Sequence, residues 1–441
     1  MQNLSSGTWP APRSTQPLAA TIELPGSKSI TNRELILAAL GEGVSTLLRP
    51  LHSRDSVLMV EGLRALGAGI EEVAGEGSYG ADLRIDGIVE AGDRDVSIDV
   101  GLAGTAMRFL PLLAALGRGR VTFDGDPHAR LRPMAETVES LRALGAVVHD
   151  EGRGTLPFTV EGRGAIEGGT LTIDASRSSQ FVSALLLAAP RFERGLTLTH
   201  SGDRLPSLPH IEMTLQCLRE RGVDAQAVGD VSWRVEPGPI AARDVLIEPD
   251  LSNAAPFLAA ALVAGGSVGI RDWPVTTTQV GALLPQLLER MGADVSVDDG
   301  VCTVSGGPGF AGGRRFSGGT LEMGHAGELS PTFAVLGAVC AEPLTITGIG
   351  HTRGHETDRL EAIRTNLERI GIVCTAGSDH LRVEPGAPSP DAEAEWEAFA
   401  DHRIATSGAL LGLQWGIRVD DIDATSKTIP EFAQLWEGMV R

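Results

Sequence analysis

Six short apolar runs recur along this chain, each opened by small or polar residues. They lie near Asn32 (ELILAAL), Thr105 (AMRFLPLLAAL), Ser179 (QFVSALLLAAP), Ser252 (NAAPFLAAALVAGG), Ser330 (PTFAVLGAVCA) and Ala405 (TSGALLGLQWG). Successive spacings are 73, 74, 73, 78 and 75 residues. A second, amphipathic pattern follows the same period and ends in L-x-x-x-G at Gly67, Gly145, Gly222, Gly292 and Gly371, where glycine is the expected helix stop. Strand-like runs such as AVVHD and ADVSV come next. A period of this length suits a small α/β subdomain better than a solenoid unit, with strands, one buried helix and one exposed helix in each. Six units imply an α/β protein of two lobes, three units to a lobe. The expected division is 26–249 for the N-terminal lobe and 1–25 with 250–441 for the C-terminal lobe, the chain crossing twice, near 24–27 and 248–251. Residues 1–24 are then expected to complete the last unit.

Composition narrows the ligand. The formal net charge of −20 argues against nucleic acid or an anionic membrane as partner, because either needs a broad basic face. An anionic ligand must therefore be caught by a small, focused basic pocket. Only two lysines occur, Lys28 and Lys427, against 35 arginines. A lysine is a compact charge whose pKa burial can lower, whereas a guanidinium is a flat fork that stays charged, so both lysines are candidates for chemistry. Cys217, Cys302, Cys340 and Cys374 have no metal-ligand spacing and sit in apolar stretches, as buried free thiols of a reducing compartment would. The first twenty residues lack a signal core and no run of eighteen apolar residues follows, so a cytoplasmic protein is expected.

An apolar helix headed by Ser, Thr or Gly buries its body and leaves its first amides for an anion, unless they are simply capped. Cationic and polar residues crowd those heads. PGSKSITNR carries Lys28, Ser29, Asn32 and Arg33; GLAGTAMR carries Gly104 and Arg108; GDPHARLRP carries Arg130 and Arg132; DASRSSQF carries Ser178, Ser179 and Gln180. Farther along, GHETDRL, ADHRIA and DATSKTIP supply His355, Glu356, Arg359, His402, Arg403 and Lys427. The first of these is not a P-loop, since Ser27 rather than glycine precedes Lys28 and the upstream glycine is missing. Read alone, Glu356 and Arg359 form an i,i+3 surface pair on a helix, and Glu328 is a polar residue ahead of a helix start.

In order, PGSKSITNR, GLAGTAMR, GDPHARLRP, SSQF, GHETDRL, DHR and SKTIPEF resemble the motifs of the EPSP synthase family of enolpyruvyltransferases, from about residue 24 to residue 434. The resemblance implies a two-lobed enolpyruvyltransferase-like fold and transfer of the enolpyruvyl group of phosphoenolpyruvate to the 5-hydroxyl of shikimate 3-phosphate. It also implies no metal and no organic cofactor. By similarity, Arg359 and Arg403 hold the carboxylate of phosphoenolpyruvate, and Lys28, Gly104, Arg132, Gln180 and Lys427 surround its phosphate. Ser29 and Arg33 take the shikimate carboxylate and Ser178, Ser179 and Ser207 its phosphate, with Lys28, Gln180, His351 and His355 adding contacts. Glu328 falls at the reacting hydroxyl and Glu356 near C3, which makes Lys28, Glu328 and Glu356 the catalytic group.

Some positions depart from the family's common pattern. His210 stands where a Tyr is frequent, Leu102 and His351 where an Asn is frequent, His355 where a Lys is frequent and Phe109 where a Pro is frequent. Two other enzymes and one non-enzyme compete with this reading. The sister transferase that acts on UDP-N-acetylglucosamine typically carries a reactive Cys, absent here from residues 125–133. An RNA-end cyclase of related architecture should be more basic. A non-catalytic binding protein on the same fold would be expected to have lost some of Lys28, Glu328, Glu356, Arg359 and Lys427. No nucleic acid or membrane partner is expected, and a monomer is.

Overall fold

Each apolar run forms a helix whose sides are all covered. The inner helices are α1 (Lys28–Leu40), α3 (Gly104–Leu116), α5 (Gln180–Ala188), α7 (Leu251–Ala264), α9 (Ser330–Leu336) and α11 (His402–Gly412). Between them lie the outer helices α2 (Arg54–Leu66), α4 (Ala135–Ala143), α6 (Leu208–Glu220), α8 (Leu284–Arg290), α10 (Arg359–Arg369) and α12 (Phe432–Val440). Every residue of α7 and of α11 is buried, as expected of helices apolar on all faces rather than along one stripe. Full burial of each Leu, Val or Phe is worth roughly 1.5–3 kcal/mol, which outweighs the helix-weakening Gly, Ser and Pro residues that these segments contain. The outer helices keep one polar face and stop where the sequence says: Gly67, Gly145, Gly222, Gly292 and Gly371 all have positive φ.

The computed structural model describes residues 8–75, 77–88, 95–387 and 393–441. Among these, six small sheets repeat one order, in which two parallel strands are followed by antiparallel ones. In the second unit, for example, Val96–Asp99 pairs in parallel with Arg118–Asp124 across α3, with Ile98 opposite Phe123. Arg118–Asp124 then pairs antiparallel with Phe158–Arg163, and that strand with Val147–His149. The crossover helix between parallel strands is what buries the inner face. Packing is close enough in places to demand glycine: a Cβ added at Gly306 would lie 1.9 Å from the carbonyl oxygen of Ala261 in α7.

The chain divides into two compact units. One comprises Pro25–Glu248, and the other comprises Pro249–Arg441 together with the described residues up to Leu24. Within the first, α1, α3 and α5 touch one another; within the second, α7, α9 and α11 do. Each unit has its own apolar core. The N-terminal strands join the second unit, but not as the sequence led us to expect. Trp9–Pro10 does complete the sixth sheet, against Gly416–Val419, whereas Leu18–Ile22 pairs in parallel with Gly266–Ile270 in the fourth. The first sheet is completed in the same way, by Val245–Leu246 beside Val44–Leu48. In both cases the strand that begins a three-unit set comes from a distant part of the sequence. No helix is long and apolar enough to cross a membrane among the described residues.

Candidate active site

In the unit formed by Pro25–Glu248, the candidate residues gather at the heads of α1, α3, α5 and α6. Lys28 is the first residue of α1, after Ser27, whose Oγ accepts from the amide of Ile30. Its Nζ lies 3.9 Å from Oδ2 of Asp55, a buried carboxylate in the first turn of α2. Gly104 opens α3 behind Ala103, a residue with no side chain able to cap. A Cβ at Gly104 would meet Nη1 of Arg108 and Nη1 of Arg132, each at 3.1 Å, so two guanidinium groups stand directly over this helix start. Arg108 donates to Oε1 of Gln180 at 2.7 Å and stacks on Phe181, which ties α3 to the head of α5. Arg132 donates to the carbonyl of Leu102 at 3.3 Å, and its buried Nε has no hydrogen-bond partner. Two guanidinium groups and first-turn amides without a side-chain cap are the features of an anion site.

Ser178 Oγ accepts from the amide of Gln180, at 3.2 Å, while Ser179 is buried at the cap position of α5 without a capping bond. Ser207 precedes α6 in the left-handed region, at φ 55°, and likewise makes no capping bond. Ser29 is half-buried, and its carbonyl accepts from Nη1 of Arg33 at 2.9 Å. Arg33 itself is buried. It also donates to Thr214 Oγ1 (2.8 Å), Ser183 Oγ (3.2 Å) and the His210 carbonyl (2.9 Å), so much of its fork holds α1, α5 and α6 together. Asn32 links α1 to α3 through Thr105 Oγ1, at 2.8 Å.

The other unit holds a chain of charged contacts. Lys427 Nζ donates to Oε1 of Glu356 at 2.6 Å, and Arg359 Nη2 donates to its Oε2 at 3.1 Å. Arg359 grips Asp401 with Nε at 2.8 Å and Nη2 at 3.3 Å, and donates through Nη1 to Nδ1 of His355 at 3.0 Å. Because a guanidinium can only donate, that ring nitrogen carries no proton. Burial opposes the charge of Arg359, yet Asp401 and Glu356 more than compensate and hold its pKa above the usual arginine value. Asp401 also caps α11 by accepting from the amide of Arg403 at 2.8 Å. Arg403 Nη1 donates to the Ser252 carbonyl at 2.6 Å, and the Ser252 hydroxyl donates to Glu328. His351 lies against Gly327, next to Glu328, and its ring meets that of His355 edge-on at 5.8 Å between centroids.

The structure thus brings together Glu328, Glu356, Arg359, Arg403, Lys427, His351 and His355 in one unit. It brings Gly104, Arg132 and Gln180 together in the other. Two simpler expectations need correcting. Glu356 and Arg359 are not a surface helix pair, since α10 begins at Arg359 after the cap Asp358, and Glu356 lies in the turn before it with both partners buried or nearly so. Nor are all the helix heads open to anions: α7 and α11 are capped by Asp250 and Asp401. Four contributors escaped the site expected from sequence: Asp55, Arg108, Ser252 and Asp401. GLAGTAMR, with Arg108 one turn into α3, DHR, with Asp401 ahead of Arg403, and the apolar run headed by Ser252 carried a signal; Asp55 carried none.

A family model described as EPSP synthase (3-phosphoshikimate 1-carboxyvinyltransferase) matches residues 12–436. A 3-phosphoshikimate 1-carboxyvinyltransferase of Kocuria rhizophila is 52% identical over 438 residues, covering 98% of this chain and 96% of that one. Among solved structures, an EPSP synthase from Acinetobacter baumannii superposes with a TM-score of 0.80 at 23% identity, covering 98% of both chains. The enolpyruvyl transferase NikO from Streptomyces tendae gives 0.74 at 18% identity, covering 97% of this chain and 96% of that one. At such identities the two structures speak for the fold.

Proposed function

The chain belongs to the EPSP synthase family, and from that membership we propose how its residues divide the work of a 3-phosphoshikimate 1-carboxyvinyltransferase. The enzyme moves the enolpyruvyl group of phosphoenolpyruvate to the 5-hydroxyl of shikimate 3-phosphate and releases inorganic phosphate. The match to this family favours shikimate 3-phosphate over a UDP-sugar as acceptor, and over a role in binding alone.

Arg359 and Arg403 take the planar carboxylate of phosphoenolpyruvate, for which forked guanidinium groups are suited. Lys28, Arg132, Gln180, Lys427 and the Gly104 amide take its phosphate, and stabilise the phosphate that leaves. Shikimate 3-phosphate is held by Ser29 and Arg33 at its carboxylate and by Ser178, Ser179, Gln180 and Ser207 at its phosphate, with His351 and His355 beside it. Glu328 accepts the proton of the attacking hydroxyl, with Lys28 as relay. Glu356 delivers a proton to C3, giving a tetrahedral ketal, and takes one back from C3 as phosphate departs. The observation that carries this reading is the buried run of contacts from Lys427 through Glu356, Arg359 and Asp401 to Arg403, Ser252 and Glu328, in which three carboxyl groups, Glu328 and Glu356 among them, stand with three cations.

Lys427→Met tests the assignment. Loss of one charge-assisted bond to phosphate, worth about 1.5–3 kcal/mol, lowers kcat/KM for phosphoenolpyruvate roughly 10- to 100-fold while the KM for shikimate 3-phosphate stays near its parent value. An equal effect on both substrates, or none on phosphoenolpyruvate, contradicts it. We further place the enzyme in the cytoplasm as a monomer. All four cysteines are free and buried, and burial pushes the Cys302, Cys340 and Cys374 thiols up to about 12, as suits a protein of a reducing compartment.

A further inference from the structure

Two neighbouring parallel strands in the unit Pro25–Glu248 feed the loops that carry the three serines assigned above to the phosphate of shikimate 3-phosphate. Gly169–Ile173 leads into the loop with Ser178 and Ser179, at the head of α5, and Leu196–His200 into the loop with Ser207, at the head of α6. Ile173 and His200 lie opposite one another as the last paired residues of these strands. Just beyond them the Ser201 amide donates to the Ile173 carbonyl at 2.9 Å, and the Ser201 hydroxyl to the same oxygen at 3.3 Å. The next amide to need a partner, that of Ala175, lies past the strand and donates to a side chain instead: Nδ1 of His200, at 3.0 Å.

A backbone amide can only donate, so Nδ1 is the unprotonated nitrogen of a neutral ring and the proton sits on Nε2. His200 is 3% exposed, and its buried Nε2 has no hydrogen-bond partner among the described residues. An unpaired buried donor is costly, and an apolar side chain would fill the place without that cost, so packing alone does not account for a histidine here. The bond to Ala175 does. Ala175 passes the constraint on: its carbonyl accepts from the amide of Ser178 at 3.0 Å, and Ser178 Oγ accepts from the amide of Gln180 at 3.2 Å. The neighbouring carboxylate of Asp174 is engaged with Ser176, whose amide and hydroxyl both donate to its Oδ1, at 2.9 and 2.5 Å. The two loops also pack closely at Gly202, where an added Cβ would lie 2.0 Å from Ser176 Oγ and 2.7 Å from Cε1 of His200.

We propose that His200 is a positioning residue for shikimate 3-phosphate: its neutral Nδ1 locks the loop bearing Ser178 and Ser179 to the loop bearing Ser207, so that the phosphate meets three serines already in place. This rests on the assignment of those serines to the phosphate, made above. Being buried, His200 acts through the loops rather than on the ligand. A loop held beforehand in its bound arrangement loses less affinity to ordering when the ligand arrives. The effect belongs to shikimate 3-phosphate, because none of the residues assigned to phosphoenolpyruvate alone, Gly104, Arg132, Arg359, Arg403 and Lys427, lies on either loop.

Three substitutions test this, read by calorimetric titration of shikimate 3-phosphate into enzyme without phosphoenolpyruvate, and by the KM for phosphoenolpyruvate at saturating shikimate 3-phosphate. His200→Asn keeps an acceptor at the place of Nδ1, His200→Gln carries its oxygen near the place of Nε2 instead, and His200→Leu has no acceptor. His200→Asn should bind shikimate 3-phosphate much as the parent does. His200→Gln and His200→Leu should bind it roughly 10-fold more weakly, the scale of one lost buried hydrogen bond, while the KM for phosphoenolpyruvate stays near its parent value in all three. Parent-like binding by His200→Gln or His200→Leu overturns the proposal. So does a loss in His200→Asn equal to that in His200→Leu, because a role in packing alone is not rescued by an acceptor, or an equal effect on both substrates. Thermal melts accompany each variant, and if His200→Leu does not fold, His200→Gln against His200→Asn decides. A Ser178→Ala, Ser179→Ala double variant that binds shikimate 3-phosphate as the parent does would instead overturn the serine assignment, and the inference with it.

Discussion

Lys28→Arg is expected to lower kcat by ~10²–10⁴-fold, the usual loss when a proton-transfer group is removed, with the melting transition close to that of the parent. The chain uses arginine for nearly every other positive charge, so retaining the charge here would suffice if charge were all that mattered. Lys28 stands at the head of α1, 20% exposed, with its ammonium 3.9 Å from the buried Asp55 carboxylate. A compact ammonium there can carry a proton between hydroxyl and phosphate; a guanidinium is bulkier and does not give up its proton in this pH range. Lys427→Arg should cost less, because Lys427 is assigned only to binding and its charge survives. Steady-state kinetics on both variants separate the two roles. If Lys28→Arg keeps more than about a tenth of the parent kcat, the relay role fails.

The largest stability effect is expected at Arg221, to which no substrate contact is assigned. Its guanidinium donates through Nε to Oε2 of Glu34 at 2.8 Å and through Nη1 to Ser45 Oγ and the Ala241 carbonyl at 3.1 and 3.0 Å. Neither member of the ion pair is more than 1% exposed. The pair joins the residue that ends α6 to the middle of α1, the helix that presents Lys28 and Arg33. Arg221→Met strands a buried carboxylate and should cost about 3–5 kcal/mol on chemical denaturation, whereas adding Glu34→Gln should recover part of it, since the stranded charge rather than the lost bond carries most of the penalty. A loss under about 1 kcal/mol would mean that water reaches Glu34.

Arg221 also marks what sequence could and could not convey. The L-x-x-x-G pattern ending at Gly222 correctly gives the end of α6, because glycine at positive φ is a local requirement. That Arg221, just before this glycine, is buried follows from Glu34, 187 positions away, which no local pattern conveys. Elements were legible wherever the cause was local: the inner helices from unbroken apolar runs, the outer helices from their polar face and glycine stop. Strand exchange was less so. The segment Leu18–Ile22 reads as a strand, but nothing in it says that Gly266–Ile270 is its neighbour rather than the sixth sheet. In the site, each motif supplied its cations, while the carboxylates that hold them come from elsewhere in the chain: Asp55 for Lys28 from α2, outside any motif, and Asp401 for Arg359 from the DHR motif 42 positions on. Which cation each one holds becomes visible only once the chain has folded.

This chain transfers an enolpyruvyl group to shikimate 3-phosphate. Phosphate release from phosphoenolpyruvate, measured with purified enzyme in the presence of shikimate 3-phosphate and, in parallel, of UDP-N-acetylglucosamine, tests it most directly. Stoichiometric phosphate and enolpyruvyl product with shikimate 3-phosphate alone is the expected result. Release with the UDP-sugar alone, or with neither acceptor, would contradict it.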